Sequence, residues 1–171
     1  LDTALGGDRN RTILTICPHC KDSIGTQYAQ AEGGPFTQVR SHVDFLAELV
    51  REGKLKVEAK AEDMAVHHPC KVIHNDETAL LDELLEVSGV TAYTAGKSPN
   101  IPSCCGGGGG GFLWDSPAKV NRNRWDDLAA TGQSTTVTSC PGCRRMLDVA
   151  KTEDAKVTDI ANVLYERVHA A

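Results

Sequence analysis

Five of the seven cysteines fall in one pattern: Cys70, then Cys104 and Cys105 as neighbours, then Cys140 and Cys143 around Pro141-Gly142. The other two, Cys17 and Cys20, bracket Pro18-His19. Adjacent cysteines project sulfurs from neighbouring residues. A Cys-x-x-Cys turn at a helix start aims two more the same way, and free backbone N–H groups there stabilise thiolate charge. Soft thiolates gathered in this manner suit zinc or an iron–sulfur cluster. The number discriminates, because tetrahedral zinc and a cubane cluster each commonly take four ligands, so a fifth cysteine implies a spare thiol or an unusual cluster. Two other chemistries fit parts of the pattern. Cys17-Pro18-His19-Cys20 after a strand resembles a thioredoxin-like dithiol site, and a zinc-stapled interaction domain would use four thiols without redox chemistry.

The elements that must position these sulfurs occur twice. Thr12 to Cys20 (TILTICPHC) and Thr135 to Cys143 (TTVTSCPGC) share a Thr-x-aliphatic-Thr-x-Cys-Pro-x-Cys pattern, each followed by a base, Lys21 or Arg144. The Thr- and Ile-rich alternation of Arg11–Ile16 predicts a strand, and a helix follows from about the second cysteine to Ala31, ended by Gly33-Gly34-Pro35. Val39, Val43, Leu46 and Val50 form the stripe of an amphipathic helix over Thr37–Arg51, with Gly53 as its stop. Val157, Ile160, Ala161, Leu164 and Val168 repeat that stripe, which is the mark of a duplicated unit. Between the copies the pattern predicts strands at Leu55–Ala59, Met64–His67 and Val90–Ala95 and a helix at Asp76–Ser88. A second helix follows over Trp114–Thr131, capped by Gly132. The expected fold is α/β: two pseudo-repeated units with a mostly parallel sheet, the first truncated. Residues 1–53 are the end of the first unit and 54–171 the whole second one. Cys17, Cys70 and Cys140 each follow a predicted strand, which places all three at the carboxyl edge where ligands collect.

The bulk numbers exclude several classes. At 171 residues with 40% hydrophobic content the chain can bury a core. A net charge of −5, no basic cluster and only 5% aromatics leave no nucleic-acid footprint. No apolar run reaches the roughly 18 to 20 residues of a transmembrane helix, and the N-terminus lacks a secretion signal. The start at Leu1 followed by a strand-like run suggests a fragment. Seven cysteines without a secretion signal favour a reducing, cytoplasmic setting over disulfides.

His68-Pro69-Cys70, Cys104-Cys105-Gly106 with its glycines, and Thr138-Ser139-Cys140-Pro141-Gly142-Cys143 together resemble the CCG, or cysteine-rich, domain family. That family includes the heterodisulfide reductase catalytic subunit and iron–sulfur subunits of glycerol-3-phosphate, lactate and glycolate dehydrogenases. It is also similar to the soluble part of flavoprotein:quinone oxidoreductases. The stretch across Val39 to Val57 resembles the link between two such units. The resemblance implies an oxidoreductase subunit that relays electrons through a 4Fe-4S cluster, in one branch a noncubane form, held by Cys70, Cys104, Cys105, Cys140 and Cys143. Cys17 and Cys20 would serve a second cluster only if upstream ligands exist. Implied partners are a flavoprotein, ferredoxin-like clusters and a membrane quinone module, with the chain at the cytoplasmic face of the membrane.

Other residues are read beside this. Gly106, Gly107 and Gly108, directly after the cysteine pair, let N–H groups approach a cofactor, whereas Gly109 to Gly111 stay open between that role and a linker. No Gly-Lys-Ser/Thr follows, so the run is not a phosphate loop. Of His67, His68 and His74, His68 is expected to hydrogen-bond near the cofactor. Trp114 and Trp125 are expected in the core, and Asp126-Asp127 and Glu83/Glu86 on solvated faces.

Overall fold

A computed structural model describes residues 1–30, 38–96, 103–113 and 119–168, with the side chains of 2, 29, 109, 110 and 112 left aside. A short helix α1 (Asp2–Leu5) leads into β1 (Thr12–Thr15) and α2 (Pro18–Asp22), which continues as a π turn (Ser23–Gln27) and a 3-10 turn (Tyr28–Gln30). Strand β2 (Gln38–Ser41) and α3 (His42–Arg51) close this first part. Next come β3 (Glu62–His67), α4 (Cys70–His74), α5 (Ala79–Val87) and β4 (Val90–Thr94). A 3-10 segment (Gly108–Leu113) precedes α6 (Val120–Ala129), β5 (Thr135–Thr138), α7 (Pro141–Ala150), β6 (Lys156–Asp159) and α8 (Ile160–Tyr165).

All strand pairs are parallel, in a two-stranded sheet β1-β2 and a four-stranded sheet ordered β4-β3-β5-β6. The fold is α/β, as expected. In the larger sheet the chain runs outward from β3 to β4, returns to β5 beside β3, and leaves in the other direction to β6. The crevice between the ends of β3 and β5 is therefore a topological switch point, where such sheets accept ligands.

Period-2 alternation gives the sheet two cores. Met64, Val66 and Val137 face Val43 and Ala47 of α3, Leu81, Leu84 and Leu85 of α5, and Ile160, Val163 and Leu164 of α8. On the other face Ala65 and Val157 pack with Trp125 and Leu128 of α6, Leu147 and Ala150 of α7, and three cysteines, Cys105, Cys140 and Cys143. Burial of a leucine such as Leu84 or Leu147, each with no exposed surface, stabilises the fold by about 1.5–3 kcal/mol.

Several boundaries differ from the sequence reading. The stretch expected as one helix over Thr37–Arg51 splits: Gln38–Ser41 is β2, whose Val39 sits beside Ile13 of β1. Ser41 then starts α3 with a capping box, its Oγ accepting from Asp44 N at 3.1 Å while Asp44 Oδ2 accepts from Ser41 N at 3.0 Å. Val39 satisfies a helical stripe and a strand alternation alike, and the cap decides between them. The same correction applies to Val157, which lies in β6; Asp159 caps α8 by accepting from Ala161 N at 2.9 Å. Leu55–Ala59 forms no strand, only an isolated antiparallel bridge between Val57 and Val168. The helix expected from Asp76 starts at Ala79, because Asp76 adopts a left-handed φ of 57°. Residues 114–118 and the break at Gly33-Gly34-Pro35 lie outside the described residues, so Trp114 does too. Trp125 is a core residue at 3% exposure, as expected.

The two Thr-rich strands have the same neighbour in the same register. Thr12 pairs with Gln38 and Thr15 with Ser41; at the corresponding positions Thr135 pairs with Lys156 and Thr138 with Asp159. Each strand then runs through a cysteine and a proline at the first turn of a helix, α2 or α7.

Candidate metal centre

Cys140 ends the β5 connection in an extended conformation and is the residue before α7, so Cys143 lies within the first turn of that helix. Pro141 forgoes a backbone N–H where none is needed, and the remaining free N–H groups of the turn point at sulfur. Cys70 stands at the corresponding place after β3, opening α4 behind Pro69. Cys104 and Cys105 arrive from the segment after β4, and Cys105 is inserted into the core at 5% exposure.

Cys105 and Cys143 form a hydrogen-bonded sulfur pair, and Cys104 and Cys140 act on it electrostatically. The Cys105 and Cys143 Sγ atoms are 3.2 Å apart. Hydrogen bonds from Cys104 and Cys143 push the Cys105 thiol far down; burial opposes this, and contacts from His67 and the Gly107 N–H add to it. Donation to Cys105 pushes Cys104 up, helped by burial, and the charge of Cys70 adds to that rise. Cys143 is likewise pushed up by its bonds to Cys105 and Cys140 and by burial. Cys140 is lowered to about 6 by its bond from Cys143, against burial, with help from the N–H groups of Cys143 and Gly142. Cys105 and Cys140 are thus shifted toward the anionic form and Cys104 and Cys143 away from it.

The glycines after the cysteine pair complete this environment. Gly106 N–H donates to Cys104 Sγ at 3.2 Å. It does so with φ +83°, where a side chain would be strained and would press on Asn121 N at 3.2 Å. Gly111 folds back so closely that a Cβ would lie 2.0 Å from the Gly106 carbonyl oxygen. That position, open in the sequence reading, therefore requires glycine. Gly108 opens the 3-10 segment, and a Cβ there would meet nothing within 4 Å.

The histidines are placed differently from expectation. His68 turns away from the cysteines and pairs through Nε2 with Asp82 of α5 at 3.1 Å. His67 takes the place beside the sulfurs, within 4.8 Å of both Cys105 and Cys143 and only 1% exposed. Strand alternation is the reason: His67 shares its face of β3 with Ala65, on the cysteine side, while His68 follows on the side of Met64 and Val66. Arg124 of α6, itself buried, donates from Nε to His67 Nδ1 at 3.1 Å and from a terminal N–H to Ala95 O at 3.1 Å. Beside His67 in register is Thr138, and both His67 Nε2 and Thr138 Oγ1 are buried without a hydrogen-bond partner among the described residues.

Cys17 reaches the second half of the molecule. Its sulfur, a nitrogen of His19 and the Cys140 sulfur all lie within 4.8 Å of one another. Ion pairs hold α2 in this position: Lys21 with Glu77 at 2.8 Å and Asp44 at 3.2 Å, and Asp22 with Lys71 of α4 at 2.8 Å. Burial raises the Cys17 thiol to about 11, partly offset by a backbone bond at Cys20 and reinforced by the Cys140 charge. A thioredoxin-like attacking cysteine requires the opposite shift. Cys20 is exposed. His19 was missed in the sequence, although its place inside Cys-Pro-His-Cys was a signal; nothing local pointed to Arg124.

The donor set fits a soft, anionic metal group. A close pair of buried sulfurs, backbone N–H groups aimed at Cys104, Cys105 and Cys140, and buried polar atoms without a partner among the described residues are what a thiolate-bound cluster uses. No described helix is long and apolar enough to cross a membrane.

Residues 64–148 match the family model described as "CCG: Cysteine-rich domain". The chain is 30% identical to the "EtfAB:quinone oxidoreductase" of Syntrophomonas wolfei, over 91% of this chain and 24% of that protein. It is 29% identical to the "Probable iron-sulfur-binding oxidoreductase FadF" of Bacillus subtilis, over 94% of this chain and 24% of that protein. The chain therefore spans about a quarter of the length of these relatives. Among solved structures, glutamate racemase isoform RacE1 from Bacillus anthracis aligns over 90% of this chain and 54% of its own, with a TM-score of 0.38 and 15% identity. That likeness is too faint to carry any inference.

Proposed function

Through residues 64–148 the chain belongs to the CCG cysteine-rich domain family, and from that premise we propose that it is an iron–sulfur redox module. The ligands are assigned as Cys70, Cys104, Cys105, Cys140 and Cys143. The observation that carries this reading is the buried Cys105–Cys143 sulfur pair, 3.2 Å apart, at the switch point, with Cys140 buried at the start of the same helix turn. Bound there, the group supplies one-electron redox chemistry. The protein's own part is to hold thiolates in the core, exclude water from Cys105, Cys140 and Cys143, and point the N–H groups of Gly106, Gly107 and Gly142 at the sulfurs. The use of all five cysteines favours the noncubane form over a four-ligand cubane.

The finer assignments follow the named relatives. An electron-relay role between a flavoprotein and a quinone-linked acceptor is the reading that fits an EtfAB:quinone oxidoreductase as a relative. The matched register of β1-β2 and β5-β6 supports residues 1–53 as the end of a first unit and 54–171 as the second. Cys17 and Cys20 would join a further group only with ligands from outside this chain. Seven unbridged cysteines favour a reducing compartment.

The test is anaerobic reconstitution of the full chain with iron and sulfide, followed by iron and acid-labile sulfide analysis and visible spectroscopy. A coloured protein whose absorption bleaches with dithionite is expected. A colourless protein that instead retains stoichiometric zinc overturns the reading in favour of a structural domain. Cys105→Ser separates the ligand schemes: unchanged iron content and spectrum would remove the fifth ligand.

A further inference from the structure

Arg124 is 6% exposed and His67 1% exposed, yet the metal-binding pattern in the sequence includes neither. Their geometry has one chemical solution. A guanidinium has only donors, so the 3.1 Å contact from Arg124 Nε requires a lone pair on His67 Nδ1. The proton of the neutral ring must then sit on Nε2. That atom is buried with no hydrogen-bond partner among the described residues, and a ring nitrogen lies within 4.8 Å of the Cys105 and Cys143 sulfurs. Among the described residues, the acceptors placed near an Nε2–H are these two sulfurs and the hydroxyl of Thr138, its register neighbour. Arg124 is fixed in turn at the end of β4 by Ala95 O at 3.1 Å, and Asp127 stands 3.7 Å from its terminal nitrogen.

We propose that Arg124 and His67 form a positioning pair in which Arg124 locks the His67 tautomer so that Nε2–H donates to the Cys105–Cys143 sulfurs and raises the reduction potential of the group they hold. The inference rests on the iron–sulfur reading above and concerns how this chain tunes it. Adding an electron increases negative charge on the sulfurs. A hydrogen bond from Nε2 and the buried guanidinium behind it stabilise that reduced state more than the oxidised one. No proton is transferred: His67 stays neutral and Arg124 stays charged. Thr138 Oγ1, next to His67 in register and also unpaired, is a lesser donor on the same face.

The experiment measures the midpoint potential of the reconstituted full chain and of His67→Leu, His67→Gln and Arg124→Gln at matched iron content. Alongside it, the nitrogen NMR shifts of the His67 ring are measured in the metal-free wild type. The expected results are an Nε2-protonated ring and, in His67→Leu, a reduction equilibrium about tenfold less favourable, equivalent to about 59 mV downward for one electron. Arg124→Gln shifts the potential less, in the same direction. His67→Gln, whose amide can still donate, recovers most of the loss. A ring protonated on Nδ1 overturns the inference, as does an unchanged potential in His67→Leu at equal iron. Should the variants fail to fold, the wild-type tautomer still decides the matter. A wild type with the expected tautomer that takes up no iron defeats the functional reading and the tuning with it, whereas normal iron uptake with the wrong tautomer defeats only the tuning.

Discussion

The molecule contains the same turn twice, Cys17-Pro18-His19-Cys20 after β1 and Cys140-Pro141-Gly142-Cys143 after β5, and the two ended in different surroundings. Locally they agree, with an extended cysteine before a proline-led helix and an identical register to the next strand. They part in what covers them. Strand β5 is flanked by β3 and β6, whereas β1 pairs only with β2 among the described residues. Val137 has no exposed surface, but its counterpart Leu14 is 50% exposed; Ser139 is 1% exposed, and its counterpart Ile16 61%. The chemistry diverges in step. Cys140 is pulled down to about 6 by the bond from Cys143, against its burial, while burial alone leads the rise of Cys17 to about 11. A Cys-Pro-x-Cys turn thus brings thiols together, but the neighbours supplied by the rest of the fold decide in which direction their pKa moves.

The comparison breaks most readily at the sulfurs. Cys143→Ser should lower iron bound after reconstitution by about tenfold or more, since even outer-sphere changes at metal sites cost that much, whereas Cys20→Ser should leave iron unchanged. Equal losses in both variants would erase the distinction between the two turns. Next is the anchor beneath the second unit. Arg167, 3% exposed, donates to Glu62 at 2.6 Å, to Ser88 O at 3.1 Å and to Val163 O at 3.0 Å. Arg167→Ala should lose about 1–3 kcal/mol in urea unfolding, because it leaves the Ser88 carbonyl in the core without its donor, while half-buried Glu62 keeps access to water. A smaller contrast tests the strands directly: Val137→Ala should cost about 2 kcal/mol and Leu14→Ala about 0.5 kcal/mol or less. A cost at Leu14 as large as that at Val137 would show that β1 is as well covered as β5.

The smallest effect concerns the clamp that holds α2 against the second half. Burial would raise the Asp44 carboxyl, but bonds from Ser41 and the Lys21 charge outweigh it, so its pKa lies below the usual value. A depressed carboxylate stabilises the fold above the unfolded pKa of about 4, and that contribution fades as pH falls through the folded value. Asp44→Asn should therefore be less stable than wild type near neutral pH and converge with it in acid. A difference that persists at low pH would place the effect in the Ser41 cap, not the charge.

Much of the site was legible because its signals are local. The Cys-Cys pair, the two Cys-Pro-x-Cys turns, the glycine at 106 and the alternation of strands and helices are short-range patterns, and each led to the correct element type. Errors arose where one residue served two periodicities, as Val39 and Val157 did, or where the alternation along β3 was not followed to its end, which exchanged His67 for His68. What residue types and spacing determined by themselves is the placement of soft sulfur at helix starts after parallel strands. Only tertiary structure decided that Cys105 is buried against Cys143, that Cys17 comes to stand beside Cys140, and that Arg124 reaches His67. In a parallel sheet such neighbours come from crossovers far apart in the chain, so no window of sequence contains both partners of the contact.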